Sequence, residues 1–82
     1  MNRTQVDSTM LESVGYDPVS SVLELEFTSG GVYQYAEVSE ETWRELMEAE
    51  SKGHYFREYI EDQYHYLQVV SPTRRFRRRR RR

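Results

Sequence analysis

The feature that most constrains this chain is a hydrophobic alternation folded back on itself through a pair of glycines. In Val22-Leu23-Glu24-Leu25-Glu26-Phe27, three large apolar residues alternate with carboxylates, the period-two pattern of a strand with one buried and one open face. Thr28-Ser29-Gly30-Gly31 follows as a turn, and Val32 to Val38 reads as the returning strand. The register depends on the turn. With a three-residue loop, Thr28 to Gly30, and Gly30 in the left-handed region, Leu25 falls opposite Tyr33 and Leu23 opposite Tyr35. With Ser29-Gly30 as a two-residue turn, Glu26 and Glu24 oppose the tyrosines instead. The first register is our expectation. It turns both tyrosines toward the core, with their hydroxyls near the surface.

Before this hairpin, Thr9 to Tyr16 reads as a first strand closed by Asp17-Pro18 and two serines. After it, Ser39 is a suitable N-cap, with Glu40 and Glu41 in the first turn where the helix dipole favours acids. Trp43, Leu46 and Met47 recur at helical spacing, so a helix is expected to about Ser51, with Gly53 ending it. A second helix is expected from about His54 to Leu67, its stripe formed by Phe56, Tyr59, Ile60, Gln63 and Leu67. The expected fold class is α+β, with a three-stranded antiparallel meander followed by two helices packed on one face, in the order β-β-β-α-α. Leu23, Leu25, Phe27, Trp43, Leu46, Phe56 and Ile60 are the expected core. The domain is expected over residues 6–70, with 71–82 as a disordered arginine-rich tail.

Size and charge narrow the function. Eighty-two residues without cysteine leave room for one small core, with no disulfide and no thiolate-bound zinc to support it. All fourteen acids lie at or before Asp62, and only Arg3, Arg44, Lys52 and Arg57 balance them, so residues 1–70 carry −10 while 71–82 carry +8. The acidic part repels phosphate and the tail attracts it. No apolar leader or spanning segment is present in the sequence, which makes the cytoplasm the expected location; no membrane partner is expected, the tail being the one conceivable membrane contact.

From Val6 to about Val69 the chain resembles the KTSC domain, a family named after a lysine tRNA synthetase C-terminal domain. The matching features are Ser8-Thr9, Gly15-Tyr16-Asp17, Leu25-x-Phe27 before the Gly30 turn and Tyr33-x-Tyr35. They continue with Ala49-x-Ser51-x-Gly53-x-Tyr55-Phe56 and Ile60. The resemblance implies a short stand-alone domain that is also appended to some lysyl-tRNA synthetases, with RNA binding suggested by that fusion. The family's usual proline after the third strand is Ser39 here, and the arginine tail is no part of the family pattern.

Four groups of residues carry the functional expectations. Tyr33 and Tyr35, two apart on a strand, could stack successive bases, although packing in the core uses the same spacing. Tyr55, Tyr59, Tyr64 and Tyr66, with Arg57 and Lys52, form an aromatic and basic stretch suited to nucleic acid or to rim packing. On one helix face Tyr64 and Tyr66 cannot both be buried. Arg74, Arg75, Arg77, Arg78, Arg79, Arg80, Arg81 and Arg82 suit phosphate, the acidic domain itself or an acidic protein. Asp62 and His65 are spaced as an acid–histidine pair on a helix, but no nucleophile and no third ligand accompanies them, so no catalytic site, metal or cofactor is expected. The expected function is a non-catalytic binding module for RNA or another nucleic acid. The alternative is a protein-interaction or regulatory module that uses the aromatic second helix, the tail serving as an electrostatic tether. The sequence does not give the oligomeric state.

Overall fold

The computed structural model describes residues 1–71, an α+β domain built on one five-stranded antiparallel sheet with two helices. The strands are β1 (Arg3–Gln5), β2 (Leu11–Asp17), β3 (Val22–Phe27), β4 (Val32–Tyr35) and β5 (Tyr66–Val70), and they lie in the sheet in chain order. The helices α1 (Glu40–Glu48) and α2 (Lys52–Tyr59) come between β4 and β5.

The central hairpin has the expected register, with Leu25 opposite Tyr33 and Leu23 opposite Tyr35. Gly30 sits at φ 99°, where a side chain is strained, and Phe27 N–H donates to Gly31 O at 2.8 Å to close a three-residue loop. This register stacks Tyr16, Leu23 and Tyr35 in one row across β2, β3 and β4, and Val14, Leu25 and Tyr33 in the next. Both rows face the helices. Leu23, Leu25, Leu46 and Ile60 are fully buried there, joined by Leu11, Val14, Val38, Tyr35 and Phe56.

Two expected core residues sit further out. Phe27 and Trp43 are only partly buried. Trp43 leans on Tyr16, centroids 5.2 Å apart and planes within 10°, and covers the core's edge while Leu46 fills its interior. The Tyr16 hydroxyl donates to Val38 O at 2.6 Å and ties β2 to the entrance of α1. Ser39 caps α1 as expected, its Oγ accepting from Thr42 N–H at 3.1 Å.

The meander has five strands where three were expected, and the second helix is half its expected length. The chain leaves α2 at Ile60, whose N–H, like that of Glu61, bonds Phe56 O. After a turn, Tyr66 to Val70 pairs with the free edge of β4, Tyr66 opposite Tyr35 and Gln68 opposite Tyr33. Aromatic and β-branched residues suit a strand, and an open β4 edge gives them a ladder that a lengthened helix would have left unpaired. Gly53 does not end α1. Ala49 does, and Ser51 starts α2 by accepting from His54 N–H at 3.2 Å, which puts Gly53 in the first turn of α2. A Cβ on Gly53 would lie 3.3 Å from Met10 Cβ, so glycine there lets α2 approach the segment before β2. β1, which pairs Arg3 with Gly15 and Gln5 with Ser13, extends the sheet to the chain's third residue.

Among the described residues the sheet's other face carries no helix. Glu24 lies there, yet it is only 8% exposed because Arg3 reaches across Gly15 to form an ion pair with it. Gln34 also donates to Glu24 at 2.8 Å, and Ser13 donates to Glu26 at 2.7 Å. A buried carboxylate needs such partners. Among the described residues no helix is long and apolar enough to cross a membrane.

Candidate functional site

The register that packs Tyr33 and Tyr35 under the helices also opens a cleft beside them. From α2, Phe56 reaches across to β3 and β4. The ring of Phe56 meets Phe27 at 5.3 Å and 70° and Tyr35 at 5.8 Å and 77°, both edge-to-face. Beyond it, Tyr66 on β5 sits 5.6 Å from Tyr33 and 5.5 Å from Tyr35. These five rings line an open cleft of about 730 Å³, with Met10, Thr28 and Ser29 at one end and Arg57, Glu61 and Asp62 along the rim. Offset and edge-on ring contacts hold such a cluster rigid without a polar scaffold. The Gln68 side-chain amide donates to the Tyr33 hydroxyl at 3.3 Å and orients that ring from the neighbouring strand.

Within the cleft the tyrosines differ in character. Tyr35 is its floor, 4% exposed, while Tyr66 is 56% exposed and offers the free ring. Burial, with Tyr66, Tyr33 and the Glu61 carboxylate nearby, pushes the Tyr35 phenol well above its usual pKa. A phenol held neutral in the folded protein ionises first in the unfolded chain. The stability it contributes is therefore complete below about pH 10 and declines as pH rises past that value. Tyr35→Phe is expected to flatten the alkaline limb of a stability–pH curve, which urea melts between neutral and strongly alkaline pH will measure. An unchanged limb would place the ionisation elsewhere, with Tyr55 the next candidate. Burial and the hydrogen bond it donates to Glu45 at 2.8 Å raise that phenol as well.

Of the residues singled out in the sequence, Tyr33, Tyr35, Tyr66 and Arg57 converge on the cleft. Tyr64 does not. It is half-buried in the turn before β5 and packs against the core, and neither it nor Tyr66 lies on a helix. Lys52 points elsewhere too. Its ammonium donates to Ala49 O at 3.2 Å, and it lines a second, smaller cleft of about 350 Å³ with Ser8, Ser51, His54 and Arg57. There Ser8 Oγ accepts from the Met10 and Leu11 N–H groups and Ser51 caps α2, so both serines have structural work. Asp62 and His65 follow α2 instead of riding on it, and their side chains share no hydrogen bond or ion pair. Arg74, Arg75 and Arg77 to Arg82 lie outside the described residues.

Phe27 and Phe56 complete the cleft, although neither stood out in the sequence as anything but core. Gln68 was readable only in part, as the polar member of an otherwise apolar run. Arg57 makes no ion pair among the described residues, which leaves its guanidinium free at the lining of the aromatic cleft. The arrangement offers π faces and a guanidinium to a flat or anionic ligand, with two carboxylates to repel phosphate from one end.

The chain is similar to proteins of several bacteria. A protein of Stutzerimonas stutzeri named only as uncharacterized is 40% identical over 65 residues, which span 79% of this chain and 92% of that one. A lysine–tRNA ligase of a Nostoc species is 36% identical over 63 residues, 77% of this chain but only 11% of the ligase. The crystal structure of a KTSC domain protein from Yersinia pestis superposes with a TM-score of 0.82 at 35% identity, covering 84% of this chain and 97% of that one. The family model for the KTSC domain matches residues 7–64, from before β2 to the turn ahead of β5, and on that match the chain belongs to the KTSC domain family.

Proposed function

We propose that this domain is a non-catalytic module that binds single-stranded RNA, stacking bases in the aromatic cleft while the arginine tail holds the phosphates. The observation that carries the reading is the Tyr33–Tyr66 pair, which lines the same open cleft as Arg57. Stacking on aromatic rings is how single strands are held without base-edge readout, and a guanidinium beside the ring adds cation–π and phosphate contacts. β5 ends at Val70 opposite Val32, at the end of the sheet where Thr28 and Ser29 line the cleft. A relative named lysine–tRNA ligase, whose matching region is 11% of its length, adds support through its tRNA substrate.

The test is a titration of labelled single-stranded RNA with the full chain and with Tyr66→Ala. Removing one stacking ring weakens binding by about 1–3 kcal/mol, or roughly five- to a hundred-fold. Because Tyr66 is more than half exposed, the variant is expected to keep its melting temperature. Equal affinity of the two proteins would remove the cleft from the binding surface.

A further inference from the structure

The two edges of the sheet differ sharply. β1 is three polar residues long and carries Arg3, the short charged edge by which sheets avoid joining one another. β5 is five residues, Tyr-Leu-Gln-Val-Val, all exposed and free of charge, proline and glycine. It lies in an eleven-residue stretch from Gln63 to Thr73 without a charged residue, the longest in a chain that is 32% charged. Leu67 is 69% exposed although it stands in the middle of that edge.

The ladder indicates which backbone groups are open. Ala36 N–H donates to His65 O at 2.9 Å, so that pair is hydrogen-bonded. In an antiparallel ladder such pairs alternate, and the next is Gln34 with Leu67. The N–H and C=O groups of Tyr66 and Gln68 therefore point away from β4, before the irregularity at Val69 interrupts the strand.

We propose that β5 is the pairing edge for a second copy of this chain, the two strands running antiparallel about a two-fold axis at Leu67. In that register Tyr66 of one copy exchanges both backbone hydrogen bonds with Gln68 of its partner, and the reverse, which uses the four outward groups of each strand. The two Leu67 side chains meet at the axis as a close non-hydrogen-bonded pair, and two five-stranded sheets become one of ten. Charge favours a copy of this chain over an unrelated strand. Residues 1–70 carry −10 and residues 71–82 carry +8, and the arginines begin four positions after Val70 in the sequence. A second copy therefore brings the charge opposite to each acidic domain, which offsets the repulsion between the two.

Sedimentation of the full chain and of Leu67→Lys tests this. The parent is expected to reach twice its 9.9 kDa as concentration rises, and the variant, which opposes two lysines at the axis, to stay at 9.9 kDa with the melting temperature of the dilute, monomeric parent. Hydrogen exchange on the unmodified chain gives an independent readout, since the Tyr66 and Gln68 amides are expected to gain protection as the dimer fills. A parent that remains at 9.9 kDa at about 1 mM, where even very weak specific pairing would show, overturns the proposal and leaves the edge to a strand from another protein. So does a dimer equally tight in both proteins, or one in which those two amides stay labile.

Discussion

Phe56→Ala is expected to destabilise this domain by about 3–5 kcal/mol, close to all the stability that a domain of this size holds. Phe56 is 4% exposed and is the side chain through which α2 grips the sheet, edge-on to Phe27 on β3 and to Tyr35 on β4. Its removal leaves a void between helix and sheet that backbone on either side cannot close, and it also detaches two rings from each other. No disulfide stands in reserve. At about 4–8 °C per kcal/mol for 60–100 residues, the melting temperature should fall by well over 10 °C. Tyr59→Ala, one turn along the same helix but more than half exposed, is expected to stay within about 0.5 kcal/mol of the parent. Thermal melts followed by circular dichroism separate the two. If Phe56→Ala melts within a few degrees of the parent, the helix is held by something other than this aromatic contact.

Local chemistry made some of the fold legible. The register of the β3–β4 hairpin followed from one glycine, because a three-residue loop needs its left-handed position filled and Gly30 is placed to fill it. Ser39 announced α1 through its side-chain acceptor. The failures have a different origin. From Tyr59 to Leu67 the apolar residues fit a helical stripe, while Tyr64 to Val70 also fits a strand, and short apolar runs support both. The decision belongs to β4, whose open edge is a tertiary fact invisible in residues 60–70. β1 leaves no sequence trace at all, since Arg3, Thr4 and Gln5 pair through backbone and only Arg3 gains a specific contact, with Glu24. Trp43 was misplaced because size suggests interior, whereas its flat ring is used to cover Tyr16.

The candidate site shows the same division. Tyr33 and Tyr35 were visible as a pair, and they differ in burial: Tyr35 is buried edge-on to Phe56, while Tyr33 is half-buried. Tyr66 was singled out as a helical residue and reaches the cleft as a strand residue. No pattern within α2 could have announced that Phe56 would share a wall with Phe27, since their meeting depends on how the helix crosses the sheet. The tail raises the remaining question, because it holds the opposite charge to everything before it.

Ending the chain at Ser71 is expected to abolish most nucleic-acid affinity at low salt, and the salt dependence will show why. Residues 1–70 carry −10 and residues 71–82 carry +8, so the attraction for phosphate resides in Arg74, Arg75 and Arg77 to Arg82. Each cation that neutralises a phosphate on a single strand releases about 0.7 of a counterion, and eight contacts give a slope of log K against log salt of roughly −5 to −6. Between 50 and 200 mM salt such a slope amounts to about three orders of magnitude in affinity. The cleft contributes differently. Stacking on Tyr66 and Tyr33 involves no counterion, so Tyr66→Ala should lower the whole binding curve without changing its slope, whereas truncation should flatten the slope toward zero. Anisotropy titrations at four or five salt concentrations on the parent, Tyr66→Ala and the truncated chain separate these effects. Should the truncated protein bind RNA nearly as well as the parent, with a shallow slope and with an affinity that Tyr66→Ala weakens, the cleft is the principal reader and the tail acts elsewhere. If the parent itself shows no affinity at 50 mM salt, the RNA reading fails as a whole, and the exposed β5 edge becomes the surface to which a function must be attached.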